Sequence, residues 1–109
     1  MQEPTFLILT ALASGAQHGY GIMTDVARIS EGRVRLRAGT LYAALDRLRT
    51  DGLVRSDKEE IVDGRLRRYY RITEEGAVRL AAEVEHMRAN AAAAASRLGL
   101  GPELAGGAA

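Results

Sequence analysis

The apolar positions of this chain hold a helical period through its first half, alternate in the middle, and return to a helical period at the end. A first helix is predicted over about 4 to 14, where Phe6, Leu7, Leu9, Leu12 and Ala13 make a broad apolar face. Pro4 suits its first turn, where a missing N–H costs nothing. The stretch "SGAQHGYG", with three glycines and a serine, breaks that helix. Ile22, Val26 and Ile29 fall at i, i+4 and i+7 and predict a second helix over about 20 to 30, closed by Gly32. "VRL" at 34 to 36 reads as a short strand. Leu41, Leu45 and Leu48 stripe one face of a third helix over 38 to 51, with Gly52 as its C′ stop.

After Gly52 the period becomes two. In "LVRSDKEEIVDGRLRRYYRIT" the pair Asp63-Gly64 separates two candidate strands. Asp-Gly tolerates the positive φ of a type I′ turn, the usual tight hairpin connection. A two-residue loop then sets Val62 against Arg65, Ile61 against Leu66, Glu60 against Arg67 and Glu59 against Arg68. Each opposed charge pair is worth a few tenths of a kcal/mol up to about 1. Thr73 is a good N-cap for a last helix whose first turn carries Glu74 and Glu75. Leu80, Val84, Met87, Ala91, Ala94 and Leu98 follow at spacings of four and three, an a/d seam. Such a seam can fold back on its own domain or pair with a second subunit. Its place at the far end of a small domain favours the second subunit. The intervening alanines permit close helix approach or leave a cavity for a ligand.

Composition adds three constraints. At 109 residues the chain is one small domain with little apolar area to spare, so a partner subunit would help. There is no cysteine, so disulfides and thiolate metal sites are excluded. The apolar run at 5 to 13 is too short to span a bilayer and has no basic stretch before it, so a cytoplasmic protein without a membrane segment is expected. The net charge of +1 conceals an asymmetry. Residues 28 to 71 hold twelve Arg/Lys against seven Asp/Glu, while the remainder holds three against seven. The central segment is thus a basic surface suited to a polyanion.

Three helices followed by a hairpin is the order of a winged helix-turn-helix, a mostly α fold with a small β wing. In that arrangement the third helix packs one face inward and can lay the other in a major groove, while the wing reaches the neighbouring backbone. Phosphate contacts supply most of the affinity and demand basic and hydrogen-bonding side chains. Arg37 and Arg47 lie off the leucine stripe and are expected to touch DNA. Thr40 serves as a cap or a phosphate donor. Arg65 beside the turn is the strongest wing candidate. Arg67 and Arg68 either contact DNA or remain in solvated pairs with Glu60 and Glu59. His18 bonds locally or to a phosphate at the start of helix two. One tyrosine of the pair Tyr69 and Tyr70 packs on the core with Ile72.

"HGYGI" at 18 to 22, "GTLYAALDRLRTDGLV" at 39 to 54 and "DGRLRRYYRITEEG" at 63 to 76 resemble the PadR family of transcriptional regulators. The resemblance covers roughly residues 5 to 80. It implies a winged helix-turn-helix over 1 to 73, a C-terminal dimerisation helix over 74 to 98 and a repressor role, with 99 to 109 a flexible tail. It also implies phosphate contacts by the Tyr42 hydroxyl and by Tyr20. The chain departs from the family pattern at Arg37 and Ala38, where Ser-Pro is common, and at Ala43, where Pro is common. Base preference is expected to differ there. Some compact members bind flat aromatic compounds between tryptophans; this chain has none, so that mode does not carry over.

Catalysis finds no support. Ser14, Ser30, Ser56 and Ser96 have no His–acid arrangement near them, and neighbours Glu59 and Glu60 on a strand point to opposite faces. His86 has no partner ligand, and neither a metal nor a cofactor is expected. The expected protein is therefore a homodimeric regulator that binds double-stranded DNA at an inverted repeat. A small-molecule effector is expected near Met87, Ala91 and the first helix. The rival readings are a winged helix used as a protein-interaction module, which the near-neutral total charge favours, and a small-molecule sensor with weak DNA affinity.

Overall fold

The computed structural model describes residues 1–101. Its elements are α1 (Glu3–Ala13), β1 (Gln17–His18), α2 (Gly19–Ile29), α3 (Ala38–Thr50), β2 (Val54–Val62), β3 (Arg65–Ile72) and α4 (Glu74–Leu98). The strands form one antiparallel sheet in the order β1-β3-β2. This is the winged helix-turn-helix with a long C-terminal helix that the pattern predicts.

The three-helix core follows the apolar stripes. Ile8, Leu9 and Leu12 of α1, Ile22 and Val26 of α2, and Leu41, Leu45 and Leu48 of α3 are all buried. Each such side chain contributes roughly 1.5–3 kcal/mol on removal from water. Two expected core positions lie outside it. Ala13 is exposed at the end of α1, and Ile29 is 40% exposed. Helix α2 ends at Ile29, and the next residue, Ser30, turns inward instead.

Ser30 also explains why 34–36 is not a strand. The Val34 N–H donates to Ser30 Oγ at 3.0 Å, and the Ser30 hydroxyl lies 2.9 Å from the Val26 carbonyl oxygen. The backbone at Val34 is thus satisfied by a side chain rather than by a sheet partner. Val34 and Leu36 still pack on the core between exposed Arg33, Arg35 and Arg37, so the alternation is real but the extended segment is unpaired. The third strand lies instead at Gln17–His18, inside the glycine-rich break, where Gln17 pairs with Tyr70 and His18 with Tyr69.

The turns hold the expected register. Asp63 and Gly64 have φ of 52° and 75°, which makes the type I′ turn. Val62, Ile61, Glu60 and Glu59 face Arg65, Leu66, Arg67 and Arg68, and the register shifts between Ser56 and Glu59. Helix α3 closes in a Schellman motif at Gly52, with the Leu53 N–H on the Leu48 carbonyl at 2.9 Å and the Gly52 N–H on that of Arg49 at 3.0 Å.

Thr73 joins this corner to α4. Its Oγ1 accepts the Gly76 N–H at 3.0 Å and donates to the Gly52 carbonyl at 2.7 Å. Gly76 is pressed so closely on the Leu53 carbonyl and the Ile72 side chain that a Cβ there would collide with backbone. Beyond this anchor α4 runs for 25 residues. Leu80 packs on the core of its own domain and Val84 is half-buried, whereas Met87, Ala91, Ala94 and Leu98 are exposed. Residues 102–109 of the expected tail lie outside the described residues.

Candidate nucleic-acid interface

Two concavities beside α3 collect most of the predicted residues. The larger, about 810 Å³, lies between the wing and the start of α2. It gathers His18, Tyr20, Tyr42, Arg65, Arg67 and Arg68, with Gly19 and the turn residue Asp63. The smaller, about 410 Å³, lies between α3 and the start of α1 and collects Thr40, Ala43 and Arg47. Arg37, the N-cap residue of α3, is exposed, and its side chain makes no cap hydrogen bond. The predicted residues other than Arg37 therefore fall into two groups, one between the wing and α2 and one between α3 and α1.

Helix geometry accounts for the split. Thr40, Ala43 and Arg47 fall at i, i+3 and i+7 and share a face, while Tyr42 turns toward the wing. The Tyr42 ring lies over Gly19, where an added Cβ would be 2.8 Å from Cζ. Tyr42 is nonetheless 42% exposed, so it packs and also offers a surface. Tyr20, 73% exposed, projects from the first turn of α2. Thr40 makes no side-chain hydrogen bond among the described residues, and the cap position belongs to Arg37.

Ion pairing sorts the arginines. Arg68 Nε lies 3.0 Å from Glu59, Arg71 Nε 3.3 Å from Asp57, and Arg49 3.6 Å from Asp46. Arg33 pairs with Glu3 at 3.0 Å and Arg28 with Asp25 at 3.7 Å. Among the described residues Arg37, Arg47, Arg65 and Arg67 have no ion pair and no side-chain hydrogen bond, which is also true of Arg35, Arg55, Arg79, Arg88 and Arg97. Of the two cross-strand charge pairs expected on the wing, then, one forms and the other does not. Glu60 takes different partners: the Tyr69 hydroxyl donates to it at 2.6 Å and Lys58 lies 3.9 Å away.

His18 is committed locally. Its Nδ1 accepts the Gly21 N–H at 3.1 Å, which caps α2, and its ring meets Tyr69 edge-on at 5.4 Å. Burial and, less strongly, the Arg67 guanidinium push the His18 pKa below the ordinary histidine value, against the pull of Glu60. The Tyr69 hydrogen bond is the main reason that the Glu60 carboxyl is held below the usual carboxylate range. Tyr70, the core tyrosine of the pair, has its phenol pushed up by burial and then by Tyr42.

The sequence profile of the transcriptional regulator PadR-like family matches residues 8–82 of this chain. The chain belongs to the PadR-like family. A transcriptional regulator of Mycobacterium tuberculosis is 41% identical over 69 residues, which span 63% of this chain and 61% of that protein. The chain thus matches about three fifths of this curated relative's length. A transcriptional regulator from Clostridium thermocellum superposes with a TM-score of 0.68 at 28% identity, over 79% of this chain and 83% of its own. Bacillus subtilis PadR, solved in complex with operator DNA, superposes with a TM-score of 0.67 over 76% of this chain and 47% of its own; at 19% identity that likeness is one of fold. The PadR-like family is one of transcriptional regulators, not of enzymes.

Three participants in this PadR-like site escape the sequence pattern. Gly19 is the floor under Tyr42, and Tyr69 and Lys58 decide the partner of Glu60. Gly19 carried a signal, since a glycine directly before a helix marks a close approach as readily as a break. Tyr69 carried none, because strand alternation gives its face but not its hydrogen bond. Among the described residues no cluster of His, Asp or Glu could hold a metal ion, and no helix is long and apolar enough to cross a membrane.

Proposed function

We propose that this PadR-like regulator is a homodimeric, cytoplasmic DNA-binding repressor that responds to a small-molecule effector. The observation that carries the DNA reading is the position of the unpaired arginines. Arg37 and Arg47 flank the outer face of α3, and Arg65 and Arg67 line the groove between wing and α2. Guanidinium groups without carboxylate partners beside α3 and the wing suit a phosphate-binding surface. The operator complex of the Bacillus subtilis relative supports the same reading.

In this reading α3 enters the major groove, with Thr40, Ala43 and Arg47 toward the bases and near phosphates. Tyr20, Tyr42 and His18 line the path of one backbone strand, and Arg65, Arg67 and Arg68 hold it from the wing. Arg68 contributes least, since its pairing with Glu59 must loosen first. The wHTH unit spans 1–73 and the dimerisation helix 74–98, with Leu80 shared between its own core and the seam. Val84, Met87, Ala91, Ala94 and Leu98 meet the second subunit. Two-fold symmetry then requires an inverted repeat with half-sites about one helical turn apart.

An effector site has support in a cavity of about 390 Å³ between α1, the end of α2 and α4, lined by Phe6, Leu7, Ile29 and Met87 with Glu83 and Arg33. Its apolar walls suit a small hydrophobic compound. Ala91, expected there, is not in the lining. A ligand wedged against both α4 and the core would change the angle at which the dimer presents its two α3 helices.

Selection of bound duplexes from a random pool tests the reading. The expected product is an enriched inverted repeat. A pool that stays random after repeated rounds contradicts it.

A further inference from the structure

Two opposed charge pairs face each other across the wing in the same register, yet they behave differently. Glu59 and Arg68 form an ion pair at 3.0 Å. Glu60 and Arg67, one step nearer the turn, form none among the described residues. The difference is Tyr69. Its hydroxyl donates to Glu60 Oε1 at 2.6 Å, a charge-assisted bond of the short, strong class. Glu60 Oε2 lies 3.9 Å from Lys58, whose ammonium sits 4.8 Å above the Tyr69 ring. The ring itself is fixed from the far side by the edge-on contact with His18, and His18 is fixed by the Gly21 N–H. A chain of contacts thus runs from the first turn of α2 to the Glu60 carboxylate.

We infer that Tyr69 is a positioning residue for DNA binding: its hydroxyl engages Glu60 and thereby leaves Arg67 free to meet a phosphate. The inference rests on the DNA-binding reading above. Without the phenol, Glu60 faces Arg67 in register with nothing of comparable strength to hold it aside. An arginine already paired with a carboxylate must give up that pair before it can serve a phosphate. With the phenol in place, the carboxylate is satisfied by Tyr69 and Lys58. Arg67 then lines the groove beside Arg65 without an ion pair, near enough to act on the Glu60 carboxylate but not bound to it.

Tyr69→Phe isolates the effect, because it keeps the ring, its contact with His18 and its place under Lys58. The variant is expected to melt close to wild type. Its affinity for the selected duplex should fall roughly 3- to 10-fold, the scale of one net hydrogen bond. The slope of log affinity against log salt should shrink by about 0.9, the value for one phosphate contact. Tyr69→Phe with Glu60→Gln should restore both, and Tyr69→Phe added to Arg67→Ala should cost nothing further. Wild-type affinity in Tyr69→Phe, or additive losses with Arg67→Ala, would overturn the inference. A readout without DNA separates it from the broader reading. By NMR the Arg67 Nε–H should shift and its guanidinium rotation should slow in Tyr69→Phe, and both should revert in the double variant with Glu60→Gln. An unchanged Arg67 signal overturns the inference whatever the duplex result. A wild type that shows the Arg67 behaviour but binds no duplex overturns the DNA reading and the use of Arg67 within it.

Discussion

The Tyr42 ring of α3 lies directly on the backbone of Gly19 at the start of α2, with no room between them for a methyl group. This contact brings the first turn of α2 against the outer side of α3. It also keeps Tyr42 at the mouth of the groove, partly packed and partly exposed. Gly19→Ala should turn the exposed tip of the Tyr42 side chain aside at little cost in stability, because the atoms that a Cβ would meet belong to that mobile tip. Tyr42→Phe should leave stability nearly unchanged and weaken duplex binding, since only the hydroxyl is lost. Urea unfolding checks the stability of both variants, and the Tyr42 ring signals by NMR report the contact. A Tyr42 ring whose NMR signals are unmoved in Gly19→Ala would refute the close approach.

His18 makes stability depend on pH. Its Nδ1 must be unprotonated to accept the Gly21 N–H, and its pKa in the folded chain lies below the ordinary histidine value of 6.5. The unfolded chain therefore takes up the proton first. Stability should be full above about pH 6.5 and should decline as pH falls through the window beneath it. Glu60, whose pKa is lowered from 4.5, adds its own loss only in the more acidic range. His18→Asn retains a cap acceptor without the titration. Unfolding free energies between pH 5 and 8 should slope for wild type and flatten for this variant. Parallel profiles would show that the cap does not carry the dependence.

The elements that could be read from sequence are those whose signal is local. The leucines at 41, 45 and 48 place α3, and Asp63-Gly64 sets the wing register, because a helical stripe and a two-residue turn each constrain their own neighbourhood. Strand β1 could not be read, since two residues have no period and Gln17–His18 is a strand only because β3 offers an edge. At 34–36 the alternation was visible, but Ser30 takes the backbone bond that a partner strand would have made. The candidate site divides in the same way. The cations were legible from charge and spacing, whereas which of them stay unpaired depends on side-chain competition such as that of Tyr69 with Arg67 for Glu60.

The exposed part of α4 bears on assembly. Met87 is 51% and Leu98 73% exposed along a seam at heptad spacing, and half-buried Val84 lies where the helix leaves the core. Buried charge at an a/d position without a partner costs several kcal/mol. On the proposed dimer, wild type should give dimers by multi-angle light scattering and Val84→Glu monomers. An unchanged dimer mass would show that the seam is not the interface.

The central claim is that the unpaired arginines around α3 and the wing bind DNA phosphates. Fluorescence anisotropy with a labelled duplex, titrated across salt, tests it most directly. The account predicts tight binding at low salt that weakens roughly 10³-fold or more between about 50 and 200 mM. It also predicts that Arg47→Ala with Arg65→Ala will weaken binding and flatten that slope. No binding at low salt, or an affinity indifferent to salt, would contradict it.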